Sequence, residues 1–290
     1  MHPGRFRHFA AIDWSGAAGE RQRGIALALC DAEGGPPRLV RPGHIWSREE
    51  ILGWLQHDLP ADTLVGLDLG IALPFRDRGA FFPGWEESPP DARSLWALID
   101  GLCAQEPHLA ASHFVDHPEA SRHFRRHGGR EGDLFGGGRG RLRITEHAQQ
   151  AAGCKPYSNF NLVGAAQVGK SSLTGMRVLH QLGGALPVWP VDPLPETGSA
   201  IVEIYTALAA IAAGRSAQKS KMRTRADLNA ALIALGSPPF HGRIAMSDHA
   251  ADALLTAAWL RIAAPRPELW RPKSMTDEIA RTEGWTFGAV

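Results

Sequence analysis

The chain has 290 residues, 31 basic and 30 acidic side chains, a formal charge of +1 and 44% hydrophobic content. Such totals describe a globular chain able to fill a sizeable core, and a near-zero charge neither requires nor excludes a polyanionic partner. No run approaches the roughly 18 apolar residues of a membrane span, the start lacks a secretory-signal pattern, and Cys30, Cys103 and Cys154 have no zinc spacing, so no membrane, a cytoplasmic location and reduced thiols are expected.

"HFAAID" and "GIALALC" are short apolar runs that predict a hairpin of buried strands. "RLVRPGHIW" predicts a third strand, and Pro42, which cannot donate to a ladder, puts it at the sheet edge. In "SREEILGWLQHDL" Ser47 and Glu50 have capping-box spacing and Ile51, Leu52, Leu55 and Leu59 have helical spacing, so a helix follows. "TLVGLDLGIALP" is a fourth strand, most simply parallel to the first and beside it.

From Phe75 to Pro195 the pattern degrades into one helix candidate, a glycine- and arginine-rich stretch and a proline-rich one. This reads as a long insertion after the fourth strand, without a core of its own. Beyond it "SAIVEIYTAL" predicts a fifth strand, "TRADLNAALIAL" a capped helix and "SDHAADALLTAAWLRIA" a long helix. The expected organisation is one α/β domain over residues 1–290, with core segments 1–74 and 196–262, an insertion 75–195 and a tail 263–290.

Asp13 closes the first strand, Asp68 comes late in the fourth, Glu203 lies in the fifth, and Asp248, His249 and Asp252 open the last long helix near one face. The C-terminal ends of adjacent parallel strands are where open α/β sheets build sites, so Asp13 and Asp68 are expected to be neighbours. Carboxylates that converge without enough cations repel one another, and one or two divalent ions resolve that repulsion and can activate water against a phosphodiester. Trp14 alternates to the opposite sheet face from Asp13 and reads as packing.

"GAAQVGKSS" fits the phosphate-loop pattern G-x-x-x-x-G-K-[ST] letter for letter. The preceding "KPYSNFNLV" is a poor buried strand and Gly175 falls where the first helical turns are needed, so a nucleotide-hydrolase loop is not expected. Lys170 and Ser171 remain candidates for contact with a polyanion. Arg139, Arg141 and Arg143 of "GGGRGRLRITE" are further phosphate candidates, with Glu146 either positioning Arg143 or facing the metals.

"AIDWSGA", "GLDLGIALP", "RLRITE", "QVGKSSLTGM", "VEIY", "DHAADALLTA" and "EGWTFGAV", in this order along nearly the whole chain, resemble the bacterial and archaeal family known as domain of unknown function 429, described as predicted nucleases. The resemblance implies an RNase H-like mixed five-stranded sheet flanked by helices, in the order 3-2-1-4-5. It makes Asp13 the central ligand of a magnesium or manganese site and Asp68 the second acid, with Glu203 nearby. "HAADALLTA" is also similar to the closing helix of Holliday-junction resolvases, which implies that Asp252 takes one ligand position and either His249 or Asp248 another.

The expected function is metal-dependent phosphodiester hydrolysis through Asp13, Asp68, Glu203 and Asp252, on nucleic acid or another phosphodiester. A magnesium-nucleotide phosphotransferase or ATPase of related fold and a non-catalytic nucleic-acid or nucleotide binding module are the alternatives.

Overall fold

The computed structural model describes residues 5–164, 168–216, 221–242 and 245–290. Strand β1 (His8–Asp13) pairs antiparallel with β2 (Ala26–Asp31), and β2 with β3 (Gly34–Leu39). Helix α1 (Arg48–Gly53) runs into a π-helical turn (Trp54–Asp58) and delivers the chain to β4 (Thr63–Asp68), parallel to β1. The Ser47 hydroxyl accepts the Glu50 N–H and the Glu50 carboxylate accepts the Ser47 N–H, the reciprocal box expected from their spacing.

The next stretch holds α2 (Ala92–Leu102), α3 (Ser112–Asp116), α4 (Ile144–Ala151), α5 (Val168–Gln181) and the two-residue strand β5 (Val188–Trp189). Strand β6 (Ala200–Glu203) follows, parallel to both β4 and β5, and then α6 (Thr206–Ala212), α7 (Arg225–Ala234), α8 (Asp248–Ala263) and α9 (Asp277–Thr282). The strand order is β3-β2-β1-β4-β6-β5, a mixed sheet of six strands and not five. The extra strand lies in the proline-rich stretch, where a two-residue pairing leaves no periodicity to read.

Four elements differ in extent from expectation, the first being β4, expected over "TLVGLDLGIALP" but ending at Asp68. β3 takes the edge but ends at Leu39, so Pro42 lies beyond it. "SAIVEIYTAL" is a strand only to Glu203, and its last three residues begin α6, whose alanine-rich sequence "TALAAIA" favours helix. The chain before α5 forms no strand, only an isolated bridge between Asn161 and Arg125, and α5 runs through Gly175 uninterrupted. The strand that a phosphate loop needs is therefore missing among the described residues.

Side-chain alternation along β1 and β4 divides the core. Ala10, Ile12, Val65 and Leu67 face α2 and α5, and the insertion's Phe81, Phe82, Trp96 and Phe160 join that same cluster, so residues 75–195 share the core of the sheet. Phe9, Ala11 and Leu64 face the other side, where they meet Leu254, Ala258 and Trp259 of α8. Gly66 in β4 lets α8 lie close: a Cβ there would stand 2.7 Å from Ile204 Cγ2 and 3.0 Å from Leu260 Cδ1. Among the described residues no helix is long and apolar enough to cross a membrane.

Candidate active site

Asp13 and Asp68 are register partners at the ends of β1 and β4. By alternation both share the face of Phe9, Ala11 and Leu64, the face that α8 covers. Ser247 caps α8 by accepting the Ala250 N–H, which starts the helix so that His249 and Asp252, three residues apart, both look toward the strand ends. His249 Nδ1 is 3.2 Å from Asp13 Oδ2. Lys221 Nζ donates to Asp252 Oδ2 at 2.7 Å, and the Thr206 hydroxyl donates to Asp68 Oδ2 at 3.4 Å.

The three acids feel one another. Burial first, then the charges of Asp13 and Asp252, hold the Asp68 carboxyl well above the ordinary range, with Lys221 offsetting only part. Burial pushes Asp252 up to about 6, with Asp13 and Asp248 adding to it against the pull of Lys221. Burial opposes the Lys221 ammonium too, yet Asp252, Asp13 and Asp68 together raise it above its ordinary value. The pair is thus asymmetric: the lysine gains from three acids, while Asp252 loses more to burial and like charge than one lysine returns. The hydrogen bond to Asp13 raises the His249 imidazolium against burial.

This donor set fits a hard divalent cation in its chemistry, since three carboxylates face one ammonium and one imidazole and two of them are held protonated upward for want of positive charge. As the side chains stand, no group of three or more His, Cys, Asp or Glu among the described residues is arranged to hold a metal ion. Lys221 holds one oxygen of Asp252 and His249 faces Asp13 instead.

Of the other expected site residues, Glu203, Arg143 and Glu146 line one cavity with Asp68, Lys221 and His249 but are bonded to one another, and Arg141 and Asp248 lie outside its lining. Glu203 pairs in register with Leu67, one step out of phase with Asp68, so it points to the opposite face of the sheet from Asp13 and Asp68. There it is ion-paired with Arg143, accepts the Ile71 N–H at 2.8 Å and also accepts the Thr286 hydroxyl. Arg143, 1% exposed, bridges Glu203 and Glu146 and donates to the Glu283 carbonyl. Arg141 is buried on Asp77 and on the carbonyls of Pro74, Ala80 and Phe81. The expectation that Arg141 and Arg143 are free to meet phosphate is corrected accordingly: buried guanidinium groups need their donors satisfied, and the fold satisfies them internally. Glu146 positions Arg143, the first of the two roles considered for it. Asp248 pairs at 3.4 Å with the exposed Arg223 while His249 turns inward to Asp13.

A cavity of about 500 Å³ opens beside the acids, bounded by Asp68, Lys221 and His249 on one side and by Lys155, Tyr157 and Ser171 of the 75–195 stretch on another. Tyr157 and Tyr205, the chain's two tyrosines, both line it. Trp14 also reaches its wall, but its indole N–H is held by the Thr174 hydroxyl at 3.0 Å and its ring is buried, as packing requires. Lys221, Thr206 and Tyr205 were not singled out by sequence reasoning. Lys221 carried only the faint signal of a basic run, "KSKMRTR", between two helices.

The chain matches no family model, no curated protein and no solved structure. Fold and site geometry therefore carry the functional reading.

Proposed function

We propose that the chain is a divalent-metal-dependent phosphodiesterase, a nuclease of RNase H-like fold akin to the predicted nucleases of domain of unknown function 429. One observation carries the reading: two aspartates end adjacent parallel strands in register, and the helix laid over them adds a third beside an open cavity. A structural explanation of these acids would need salt bridges to balance them, and among the described residues Lys221 and His249 are the partners within reach. Elevated carboxyls in a cleft are a mark of functional sites.

In this reading Asp13, Asp68 and Asp252 would hold magnesium or manganese, which would supply activation of water and charge stabilisation at the phosphate. His249 orients the Asp13 carboxylate through its ring nitrogen and holds a proton there. Lys221, lining the same cavity, presents an ammonium to a phosphate oxygen. Glu203, which lines the same cavity as Asp68, fixes Arg143 and the Ile71 N–H at its wall.

The test is hydrolysis by the purified protein, with magnesium and with manganese, of single-stranded, duplex and junction nucleic acids, cyclic phosphodiesters and ATP. Metal-dependent cleavage of a phosphodiester, lost by about a hundredfold or more in Asp68→Asn, is expected. Consumption of ATP without strand cleavage would favour the phosphotransferase, and binding without turnover a non-catalytic module; either ends the nuclease reading.

A further inference from the structure

A second cavity, of about 430 Å³, adjoins the first. Both are lined by Gly16 and Ala17 of the strap that follows β1, and α5 gives Ser171 to the first and Lys170 to the second. The strap is clamped from two sides. A Cβ on Gly16 would stand 2.3 Å from the Lys170 carbonyl carbon and 2.4 Å from the Ser171 nitrogen, so the strap lies directly on α5. From the other side the buried Arg48 donates to the Ser15 carbonyl at 3.0 Å, to the His108 carbonyl at 2.6 Å and to the Ala17 carbonyl. One rigid ridge thus bounds both cavities.

The second cavity joins an apolar floor to a rim of basic side chains. Pro107, Ala111, Val115, Leu162 and Leu173 supply the floor, and Arg126, His127, Arg130 and Lys170 the rim. Its two acids are already engaged: Glu106 accepts the N–H groups of Ser112 and His113, and Asp116 holds Arg126 at 3.0 Å. Arg126 Nε is buried with no hydrogen-bond partner among the described residues. Lys170 has no carboxylate within salt-bridge reach among those residues; its ammonium lies 2.9 Å from His127 Nε2. Burial lowers that ammonium from its ordinary value, a cost that an anion in the cavity relieves.

We propose that this second cavity receives the nucleotide next to the scissile phosphodiester, its phosphate on Lys170 and Arg130 and its base on the apolar floor. The substrate is then a single strand lying across the Gly16–Ala17 ridge with one unit in each cavity. The assignment rests on the phosphodiesterase reading and narrows it. Cavities of this size, within the range of about 300–1,000 Å³ that encloses a small ligand, take an unstacked unit, and bases in a duplex stay stacked and paired. A single isolated phosphodiester would need only the first cavity. Tyr157 and Tyr205 offer aromatic surface to the base held there, as strand-binding proteins do.

The test is fluorescence anisotropy with a labelled short oligothymidylate and with the duplex it forms with oligodeoxyadenylate, in chelator so that no cleavage occurs. The wild-type chain is compared with Lys170→Ala/Arg130→Ala over a salt series. The strand is expected to bind more tightly than the duplex. In the double variant strand affinity should fall by about tenfold at low salt, and the slope of log affinity against log salt should become shallower by about 1.4, two contacts at about 0.7 each. Arg130→Ala alone, at an exposed position, gives half that change in slope and covers the case in which the double variant folds poorly. Wild-type affinity and slope in the variants, or equal affinity for duplex and strand, overturns the proposal. Hydrolysis measured in parallel separates the two readings. Strand binding through Lys170 and Arg130 with no metal-dependent cleavage removes the phosphodiesterase and leaves an anion-binding cavity, whereas cleavage with unchanged KM in the double variant removes the second cavity and leaves the phosphodiesterase.

Discussion

Asp13 and Asp68 stand opposite one another at the ends of β1 and β4, on the sheet face that α8 covers and from which Asp252 reaches them. The placement follows from short-range rules. Parallel register pairs the two strand ends, alternation puts both side chains on one face, and Gly66 two residues earlier lets the helix come close enough to bring a third acid. The fold concentrates negative charge in a low-dielectric corner where, among the described residues, Lys221 and His249 are the partners that offset it.

That charge sets the pH dependence of the metal-free protein. An acid raised in the folded state binds its proton more tightly there, so its contribution to stability is fully present below the unfolded value, near 3.8, and is lost as pH climbs through the folded value. For Asp252 the window runs from about 4 to about 6, and a shift of about two units corresponds to roughly 3 kcal/mol. Asp68, raised well above its ordinary value, extends the loss to higher pH. Thermal melts in chelator should show the difference in stability between Asp252→Asn and wild type growing in the mutant's favour from about pH 4 to about pH 6. A constant difference across that range would mean that Asp252 is not held protonated upward.

Arg143→Met tests the opposite kind of charge. Arg143 alone compensates two carboxylates, Glu146 and Glu203, all three nearly out of solvent. Burial already raises Glu146 against the pull of Arg143, and the network ties α4, β6 and the 283–286 segment together. Removing the guanidinium leaves two buried carboxyls with no counterion, a loss of about 3–5 kcal/mol by analogy with other broken buried pairs. Urea unfolding should show the midpoint lowered accordingly. A variant of wild-type stability with weakened nucleic-acid binding would return Arg143 to the phosphate-contact role.

Much of this was legible in the sequence, and the misses have physical causes. Asp13 was readable because it ends an apolar run and Asp68 because it interrupts one, and Ser47 with Glu50 marked the start of α1. Glu203 misled because "IVEIY" shows an acid in a strand but not its register, and a one-residue change in register decides which face an acid takes. Arg141 and Arg143 misled because a glycine-rich context reads as solvated loop, while their partners, Asp77 and Glu203, lie about 60 residues away in sequence. Lys221 carried only the faint signal of a basic run. Its role exists only once α8 brings Asp252 to it.

The strap after β1 gives a prediction about packing. Gly16→Ala places a methyl group 2.3 Å from the Lys170 carbonyl carbon, against helix backbone and not a yielding side-chain tip. With Arg48 holding the strap from behind, the methyl has nowhere to go, and overpacking of this kind costs about 1–3 kcal/mol. Urea unfolding measures the loss. Because the strap begins two residues after Asp13, catalysis should fall as well, to a greater degree than in a control of matched stability loss at Ile233, an exposed position on α7. Equal losses would make the ridge merely structural.

The remaining prediction concerns Lys221, which neutralises Asp252 at 2.7 Å in the absence of metal. A divalent ion and this ammonium compete for the same carboxylate, because each stabilises its charged form. Lys221→Gln removes the competitor and keeps a polar side chain of similar length. Without metal the variant should be less stable and its Asp252 carboxyl higher still, since burial and Asp13 then act unopposed. With manganese the order should reverse. Affinity measured by calorimetry is expected to tighten by about tenfold, equivalent to about 1.4 kcal/mol of lost competition, while turnover falls because the phosphate loses an ammonium. Tightened manganese binding with reduced turnover places Lys221 in both roles. Manganese binding that weakens in the variant would mean that the lysine organises the acids and does not compete for them, and an absence of manganese binding in wild type and variant alike would remove the metal from the mechanism altogether.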